Sequence, residues 1–267
     1  FHHCMEVGKD YSQPGAAKYS VGNGVITTGQ ADIINSVAAV KYLVYDEKKC
    51  TMDQLVKALD VDFVGYEDIQ AMCLAAPKYG NDDERADFCV GEIFTHVVDQ
   101  FEKYDTKFGK MTCGMLPVSG NTPLGQWVGA LPSGRNVGTP LTDGIGATGG
   151  TDVNGPTALF KSVSHIPHAR FTQGTQLNMK FEPEILKGED GIAHGMNMLK
   201  TMCLLDVYHV QINCVDRVTL LDAQVHPEQH RDLLIRVAGY TAFFVELGKE
   251  TQDEIIARTE INSWTGA

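Results

Sequence analysis

Four groups of residues in this sequence have types and spacings that could do chemistry. The first is Gly144-Ile145-Gly146-Ala147-Thr148-Gly149, which matches the phosphate-cradling pattern G-x-G-x-x-G. That pattern carries a dinucleotide only where it follows a strand, opens a helix and is joined by an acid about 20 residues on. No strand pattern precedes it here, and the expected acid position reads His168-Ala169-Arg170. The second group is histidine. His226 and His230 bracket Glu228, but a zinc protease needs the Glu directly after the first His, where Pro227 stands. Pro167 separates His165 from His168, and His2-His3-Cys4 has no further ligand nearby in sequence. These histidines read as ordinary surface or hydrogen-bonded residues. The third group is the 7 cysteines, an odd number with no C-x-x-C pair. Neither a disulfide framework nor a zinc knuckle is expected, and free thiols fit a reducing cytoplasm. The fourth is Gly239, in Arg236-Val237-Ala238-Gly239-Tyr240. It interrupts the strand-like run Leu233 to Val237, where a lone glycine ordinarily marks a bulge or bend.

The elements that must position these residues follow from periodicity. Residues 15 to 31 are rich in glycine and small residues and read as loop. Asp32 can cap a helix running to about Asp46, with Ile33, Val37, Val40 and Val44 as its apolar face. Thr51 and Gln54 form a capping box that opens a short helix, and a second short helix ends near Pro77. Asp82 to Phe108 reads as one long helix with the stripe Ile93, Val97, Phe101, Tyr104 and Phe108, terminated by Gly109. Residues 111 to 118 read as a strand. Residues 119 to 156 hold 10 glycines in 38 positions. That is too long for a mere connection and reads as a structured functional loop region. Pro156 suits the start of a helix to about Ser164.

Further on, Leu177, Met179 and Phe181 alternate with Gln176, Asn178 and Lys180, a strand with one apolar face. A helix from about Asp190 to Leu205 follows. In the next strand, Val207 to Val215, Val210, Ile212 and Cys214 oppose His209, Gln211 and Asn213. That polar face either lines a cavity, where the three side chains would give polar contacts to a substrate, or is a solvated sheet face. Asp216 can cap the next helix, and Lys249 to Thr259 is helical with Ile255, Ile256 and Thr259 inward. Strands separated by helices indicate an α/β fold.

Bulk properties narrow the function classes. The chain has 267 residues, is 43% hydrophobic and 21% charged, and carries a net charge of −12. Such a surface repels nucleic-acid phosphates and anionic lipid head groups, so neither is an expected partner. No apolar run reaches the roughly 18 residues that span a bilayer. No basic segment leads into an apolar one at the start, Phe1-His2-His3-Cys4, so no signal peptide is expected and a cytoplasmic location is. The first residue is not Met, and the reading favoured is part of a longer protein.

The segment 233–267 resembles the glycine radical domain of the pyruvate formate-lyase superfamily. The resemblance rests on Arg236-Val237-Ala238-Gly239-Tyr240-Thr241-Ala242-Phe243-Phe244 and, at fixed spacing, Gln252-Asp253-Glu254-Ile255-Ile256-Ala257-Arg258-Thr259. It extends upstream through Gly134-Arg135, Pro140-Leu141, Asp143-Gly144, Gly155-Pro156-Thr157-Ala158, Ser162-Val163 and Asn178-x-Lys180-Phe181. The early runs Gly8-Lys9-Asp10 and Gly15-Ala16-Ala17-Lys18-Tyr19 resemble the family too. One departure is Ser133, where many members carry Asp before Gly-Arg. Ala238 sits where pyruvate formate-lyase itself typically has Ser, which resembles the other branches.

The resemblance implies the C-terminal part of a ten-stranded α/β barrel. That barrel consists of two five-stranded half-barrels surrounded by helices, with the glycyl radical loop inserted in it. Residues 1–118 would be the end of the barrel domain and 119–267 the glycine radical domain. Gly239 would be the one catalytic residue in this chain. The cofactor would be a glycyl radical formed on it, with no bound metal or nucleotide. Glycine is required because the radical Cα must be nearly planar, and glycine has no side chain to resist that. The implied partners are a radical S-adenosylmethionine activating enzyme with an iron–sulfur cluster, a small-molecule substrate, and a second copy in a full-length homodimer. The stored radical passes to a cysteine, usually in a Gly-Cys-x-Glu-like motif several hundred residues upstream. Cys4-Met5-Glu6 follows His3 rather than Gly and lies too near Gly239 in sequence. The thiyl cysteine is therefore expected outside this chain, and the chain alone is expected to be inert. The implied reaction is radical C–C, C–O or C–N chemistry by a lyase or synthase in anaerobic metabolism. The alternatives are an aryl- or alkylsuccinate synthase adding a hydrocarbon to fumarate, pyruvate formate-lyase (formate acetyltransferase), and a non-catalytic radical carrier.

Overall fold

A computed structural model describes residues 2–13, 15, 24–106, 108–116 and 119–265. Ala16 to Tyr19, and the last two positions of the strand expected at 111–118, lie outside the described residues. The first half is mostly helical: α1 (Cys4–Val7), the short strand β1 (Gly24–Ile26), α2 (Gln30–Val40) running on as a π-helical stretch (Lys41–Asp46), α3 (Met52–Asp60), α4 (Glu67–Ala75), α5 (Glu84–Asp87) and α6 (Val90–Phe101). A small hairpin, β2 (Asp105–Thr106) and β3 (Gly109–Lys110), leads into β4 (Thr112–Gly114) and α7 (Asn121–Gly125). The second half runs α8 (Gly155–Ser164), β5 (Leu177–Phe181), α9 (Gly188–Leu204), β6 (Val210–Cys214), α10 (Arg217–Val225), β7 (Leu234–Arg236), β8 (Thr241–Phe243), α11 (Lys249–Ala257) and β9 (Glu260–Ile261).

Most pairings are parallel. β1 pairs with β4, and β5 is flanked by β6 and β9. A bridge between Met115 and Thr175 joins the two groups across the start of β5. Parallel strands need crossover connections, which the intervening helices supply, so the fold is mixed α/β as the sequence indicates. β7 and β8 form a separate antiparallel hairpin.

Local signals are placed as expected. Thr51 and Gln54 make both bonds of the capping box, and the Asp216 carboxylate accepts from Thr219 N–H to cap α10. Elsewhere the structure corrects the pattern reading. Asp32 is inside α2, not its cap, which is Gly29. The stripe Ile33, Val37, Val40, Val44 is not the buried face: Ile33 is 45% exposed, whereas Ala31, Ile34, Ala38 and Ala39 are 0% exposed. Two polar anchors set this rotation. The Asp32 carboxylate accepts from Thr142 N–H at 2.7 Å, and Asn35 accepts from Tyr79 N–H at 2.8 Å and donates to Thr148. Turning the apolar stripe inward would leave both side chains without these partners.

The long helix expected over 82–108 is two helices and a hairpin. Asp87 is buried and accepts from the Ser162 hydroxyl at 2.6 Å, which pins the chain between α5 and α6. The Thr106 hydroxyl donates to Gly109 C=O and accepts from Phe108 N–H, and Gly109 sits at φ +106° in this hairpin instead of ending a helix. The region read as loop to residue 31 contains β1. Residues 119–154 are irregular apart from α7, and α8 begins at Gly155, as expected of a structured loop region that ends near Pro156.

The strands hold the largest departure. On β6 the polar Gln211 and Asn213 are buried, while Ile212 and Cys214 are exposed. On β5 both faces are covered, and Gln176 and Lys180 are as buried as Leu177. Of the two readings of the polar face, the solvated one holds only at His209, which is exposed, and fails at Gln211 and Asn213. The β7–β8 hairpin and α11 pack there with α10, around Leu220, Ile235, Val237, Phe244, Ile255 and Ile256. No helix among the described residues is long and apolar enough to cross a membrane.

The rotation of α2 gives a direct test. Ile34→Ala should cost about 2–5 kcal/mol, as for a fully buried aliphatic truncation. Ile33→Ala, one residue away, should stay within about 0.5 kcal/mol. Denaturant melts of the two variants measure the difference; equal losses would place the apolar stripe inside after all.

Candidate functional site

The site is the hairpin between β7 and β8. Val237 N–H donates to Tyr240 C=O at 2.9 Å, closing a turn whose tip is Ala238-Gly239. Val237 and Ala238 are each 1% exposed, yet Gly239 itself is exposed. Val237 and Ala238 root the turn in the core, and the glycine projects from that root. Gly239 has φ +85°, a conformation that L-residues enter only with strain. Crowding is not the main reason for glycine: the nearest atom to a Cβ placed there would be Gln176 Oε1 at 3.4 Å, an ordinary contact. The backbone angle demands glycine.

Side chains from β6 hold the hairpin. Gln211 Oε1 accepts from Gly239 N–H at 3.2 Å. Asn213 bonds both ways with the Arg236 backbone, donating to its C=O at 2.7 Å and accepting from its N–H at 2.8 Å. This side-chain amide replaces a strand partner and sets the register of β7. His209 meets Gln211 Nε2 at 3.3 Å. His209, Gln211 and Asn213 therefore brace the loop instead of lining the cavity described below.

Arg258, just past α11, ties the hairpin to the glycine-rich region. Its Nη1 donates to Val237 C=O at 2.9 Å. Its Nε and Nη2 fork onto Glu254 at 3.0 and 2.8 Å, and Nη2 also meets Asp143 Oδ2 at 3.1 Å. The Arg258, Glu254 and Asp143 side chains are 11%, 12% and 6% exposed, so this is a buried ion cluster. Burial works against the charge of Arg258, but Glu254 and Asp143 outweigh it and raise its pKa. Burial pushes Asp143 up to about 6 despite Arg258. Asn178 donates to Asp143, and Gln176 donates to Asn178 Oδ1 at 3.1 Å, which brings the relay back to Gly239.

The rest of the Gln252–Thr259 motif acquires parts as well. Gln252 donates to Phe244 C=O at 2.9 Å, and Ile255 and Ile256 fill the core beneath the hairpin. Thr259 donates to Asp152 and accepts from Gly150 N–H. Lys180 Nζ and Arg217 Nη1 donate to Ile256 C=O at 3.0 and 3.1 Å, two cations at the C-terminal end of α11. In sequence Lys180 enters only through the resembling run Asn178-x-Lys180-Phe181, and Gln176 not at all, because a period-2 pattern assigns both to a polar face without saying what covers it.

The Gly144–Gly149 run is a packing device. No strand leads into it and no helix begins there. A Cβ on Gly144 would lie 2.2 Å from Gln176 C=O, and one on Gly149 would lie 2.4 Å from Ala257 C=O. The glycines let this segment lie backbone to backbone on β5 and on the end of α11. Beside it is a cavity of about 590 Å³ lined by Asp32, Arg135, Asp143, Asp152, Asn178 and Arg258, among others, but not by Gly239. Asp143 Oδ1, Thr122 Oγ1 and Ser133 Oγ are buried there without a hydrogen-bond partner.

The other candidates are dispersed. His168 is buried between Thr175 and Val163 C=O, and His230 meets Asp222 at 2.6 Å. No group of three or more metal-capable side chains forms among the described residues. Cys50, Cys73, Cys89 and Cys113 are buried, and burial pushes the Cys73 and Cys89 thiols up to about 11. Cys4 is half-buried, and Cys203 and Cys214 are exposed.

Comparison with known proteins adds independent findings. Residues 1–125 match the pyruvate formate lyase-like family model, and residues 141–245 match the glycine radical model. The chain is 41% identical over 262 residues to trans-4-hydroxy-L-proline dehydratase of Clostridioides difficile, covering 96% of this chain and 32% of that protein. It is 41% identical over 240 residues to isethionate sulfite-lyase of Desulfovibrio desulfuricans, covering 87% of this chain and 28% of that protein. Among solved structures, the B12-independent glycerol dehydratase of Clostridium butyricum superposes with a TM-score of 0.91 at 39% identity, over 98% of this chain and 33% of that one. A glycyl radical enzyme of Archaeoglobus fulgidus gives 0.91 at 35% identity, again over 98% and 33%. The chain thus spans about a third of the length of these relatives.

The buried acids yield a pH prediction. Burial pushes Asp152 up to about 6 from 3.8, against the hydrogen bond from Thr259. The folded state therefore binds more protons than the unfolded state between these two values, and stability falls as pH rises through that window. Asp143 contributes in the same direction. Asp152→Asn should flatten the decline by up to about 3 kcal/mol. Denaturant melts below and above the window measure it; an unchanged slope would contradict the burial argument.

Proposed function

The chain belongs to the glycyl radical enzyme family, and on that footing we propose that Gly239 is the residue that stores the radical. The observation that carries this reading is the contrast at the hairpin tip: an exposed glycine at φ +85° between a buried Val237-Ala238 root and a hydrogen-bonded Tyr240. When formed, the glycyl radical supplies an unpaired electron on Cα shared with both flanking amides. The residues present suit that group. Glycine leaves Cα free to flatten, Gln211 holds the Gly239 N–H, and Arg258 holds the Val237 carbonyl. Neither bond occupies Cα itself.

The wider protein is read in the same terms. Residues 119–267 serve as the glycine radical domain and 1–118 as the end of a ten-stranded barrel into which the hairpin inserts. A radical S-adenosylmethionine activase with an iron–sulfur cluster removes the Cα hydrogen, and the enzyme works as a homodimer. A cysteine outside this chain acts on the substrate, so this portion alone is inert. The reaction we favour is bond-breaking on a small oxygenated molecule, with loss of water first among the options. Relatives named as dehydratases of trans-4-hydroxy-L-proline and of (2S)-3-sulfopropanediol support that choice.

Two outcomes test the assignment. Activated anaerobically, the intact enzyme should show a doublet electron paramagnetic resonance signal at the free-electron position, and Gly239→Ala should abolish it. That substitution should also cost about 1–2 kcal/mol from the backbone angle alone. A doublet that survives the substitution would move the radical elsewhere. Separately, air should cut the activated chain at Gly239 and release a short C-terminal fragment detectable by mass spectrometry. An activated chain left whole in air would count against Gly239.

A further inference from the structure

We infer that Gln211 is a positioning residue for Gly239, with Gln176 as its backstop, and that the two amide oxygens together fix the orientation of the glycine before and after it is activated. This inference rests on the reading of Gly239 as the radical site. Gln211 and Gln176 are 5% and 1% exposed and reach the glycine from β6 and from the residue just before its parallel neighbour β5. Gln211 Oε1 accepts the Gly239 N–H at 3.2 Å, and Gln176 Oε1 stands 3.4 Å from the position a side chain would take on Cα.

The surroundings dictate which end of each amide faces the glycine. A backbone N–H only donates, so Gln211 must present oxygen to it. Its NH2 then meets His209 Nε2, which accepts if the imidazole proton is on Nδ1. For Gln176 the orientation is set from a distance. The Asp143 carboxylate, paired with Arg258, only accepts, so Asn178 must turn its NH2 to Asp143 and its oxygen to Gln176. Gln176 must then turn its NH2 to Asn178, which leaves its oxygen toward Gly239. The ion cluster at Arg258 thereby reaches the glycine by two routes, through Val237 C=O and through this relay.

Two consequences follow for a radical at Cα. Accepting the N–H leaves the amide nitrogen richer in electron density, and that nitrogen is one of the two groups over which the unpaired electron spreads. An amide oxygen bears no hydrogen, so the Gln176 atom that faces the side-chain position of Gly239 has none to surrender to the radical. Gln211 acts through the backbone amide and Gln176 through proximity; neither exchanges a proton or an electron.

The test uses the intact enzyme. Before activation, hydrogen exchange of the peptide spanning Val237 to Tyr240 should quicken about fivefold in Gln211→Leu, the factor a single neutral hydrogen bond carries. Gln211→Glu, whose carboxylate still accepts, should stay close to wild type. After activation, Gln211→Leu should alter the nitrogen hyperfine splitting of the doublet and hasten its anaerobic decay by a similar factor, with Gln211→Glu again restoring both. If Gln211→Leu fails to fold, Gln211→Asn withdraws the oxygen by one methylene and carries the same expectations. Unchanged exchange, splitting and decay in Gln211→Leu or Gln211→Asn, beside a wild-type doublet that Gly239→Ala removes, would overturn this inference and leave the radical assignment standing. A wild-type enzyme with no doublet would instead remove the assignment and this inference with it.

Discussion

One buried guanidinium holds the C-terminal half of this molecule together. Arg258 joins the Val237 carbonyl, Glu254 and Asp143, which belong to the hairpin root, to α11 and to the glycine-rich segment respectively. A buried cation is costly unless paired and hydrogen-bonded, and removing one partner leaves the remaining charges uncompensated. The three segments are therefore coupled: none can shift without exposing or orphaning a charge. The coupling needs α11 in one place, and the carbonyls at its end are met by Lys180 and Arg217, cations at the negative end of the helix dipole. Burial lowers the pKa of Lys180, so its contribution comes from contact with the carbonyls and not from exposed charge.

The glycines between 144 and 155 belong to the same constraint. Asp143 can reach Arg258 only if the chain that carries it lies tight against β5 and the end of α11. Gly144 and Gly149 are the points of closest approach, where any Cβ would overlap a backbone carbonyl. A motif that looks like a phosphate loop in one dimension is thus a pair of backbone contacts in three. Asn35 and Tyr79 secure the other side of the segment, since Asn35 donates to Thr148 and the Tyr79 hydroxyl donates to Ile145 C=O.

What was legible in the sequence divides by range. The Thr51–Gln54 box, the Asp216 cap and the start of α8 at Gly155-Pro156 involve residues within one turn of each other, and local chemistry specified them. The face of α2 and the faces of β6 depend on partners more than twenty residues away, and there the apolar pattern pointed the wrong way. Hydropathy ranks Ile33 above Asn35 as a core residue, yet Asn35 is inside because Tyr79 N–H and Thr148 require it. Likewise Gln211 and Asn213 are inside because the hairpin offers backbone groups that an apolar side chain could not satisfy. Gly239 and the Gln252–Thr259 run were legible as a resemblance, but the parts played by Gln176, Asn178 and Asp143 were not, since their spacing carries no period that links them.

The exposure of Gly239 gains its meaning from the same polar framework. A flexible loop would present its tip equally well to solvent, but would not hold one backbone orientation. Here the residues before Gly239 are fixed by core burial, by Arg258 and by the backbone pairing of Asn213, Tyr240 C=O after it accepts from Val237 N–H, and the Gly239 N–H is fixed by Gln211. The remaining freedom lies in the glycine Cα, which has no side chain and no bond to satisfy. A side chain would find room beside Gln176 Oε1 but not a relaxed backbone angle. Rigidity is thus built up to the atoms next to the Gly239 Cα and stops there, which is the arrangement that the radical proposed for this carbon would need.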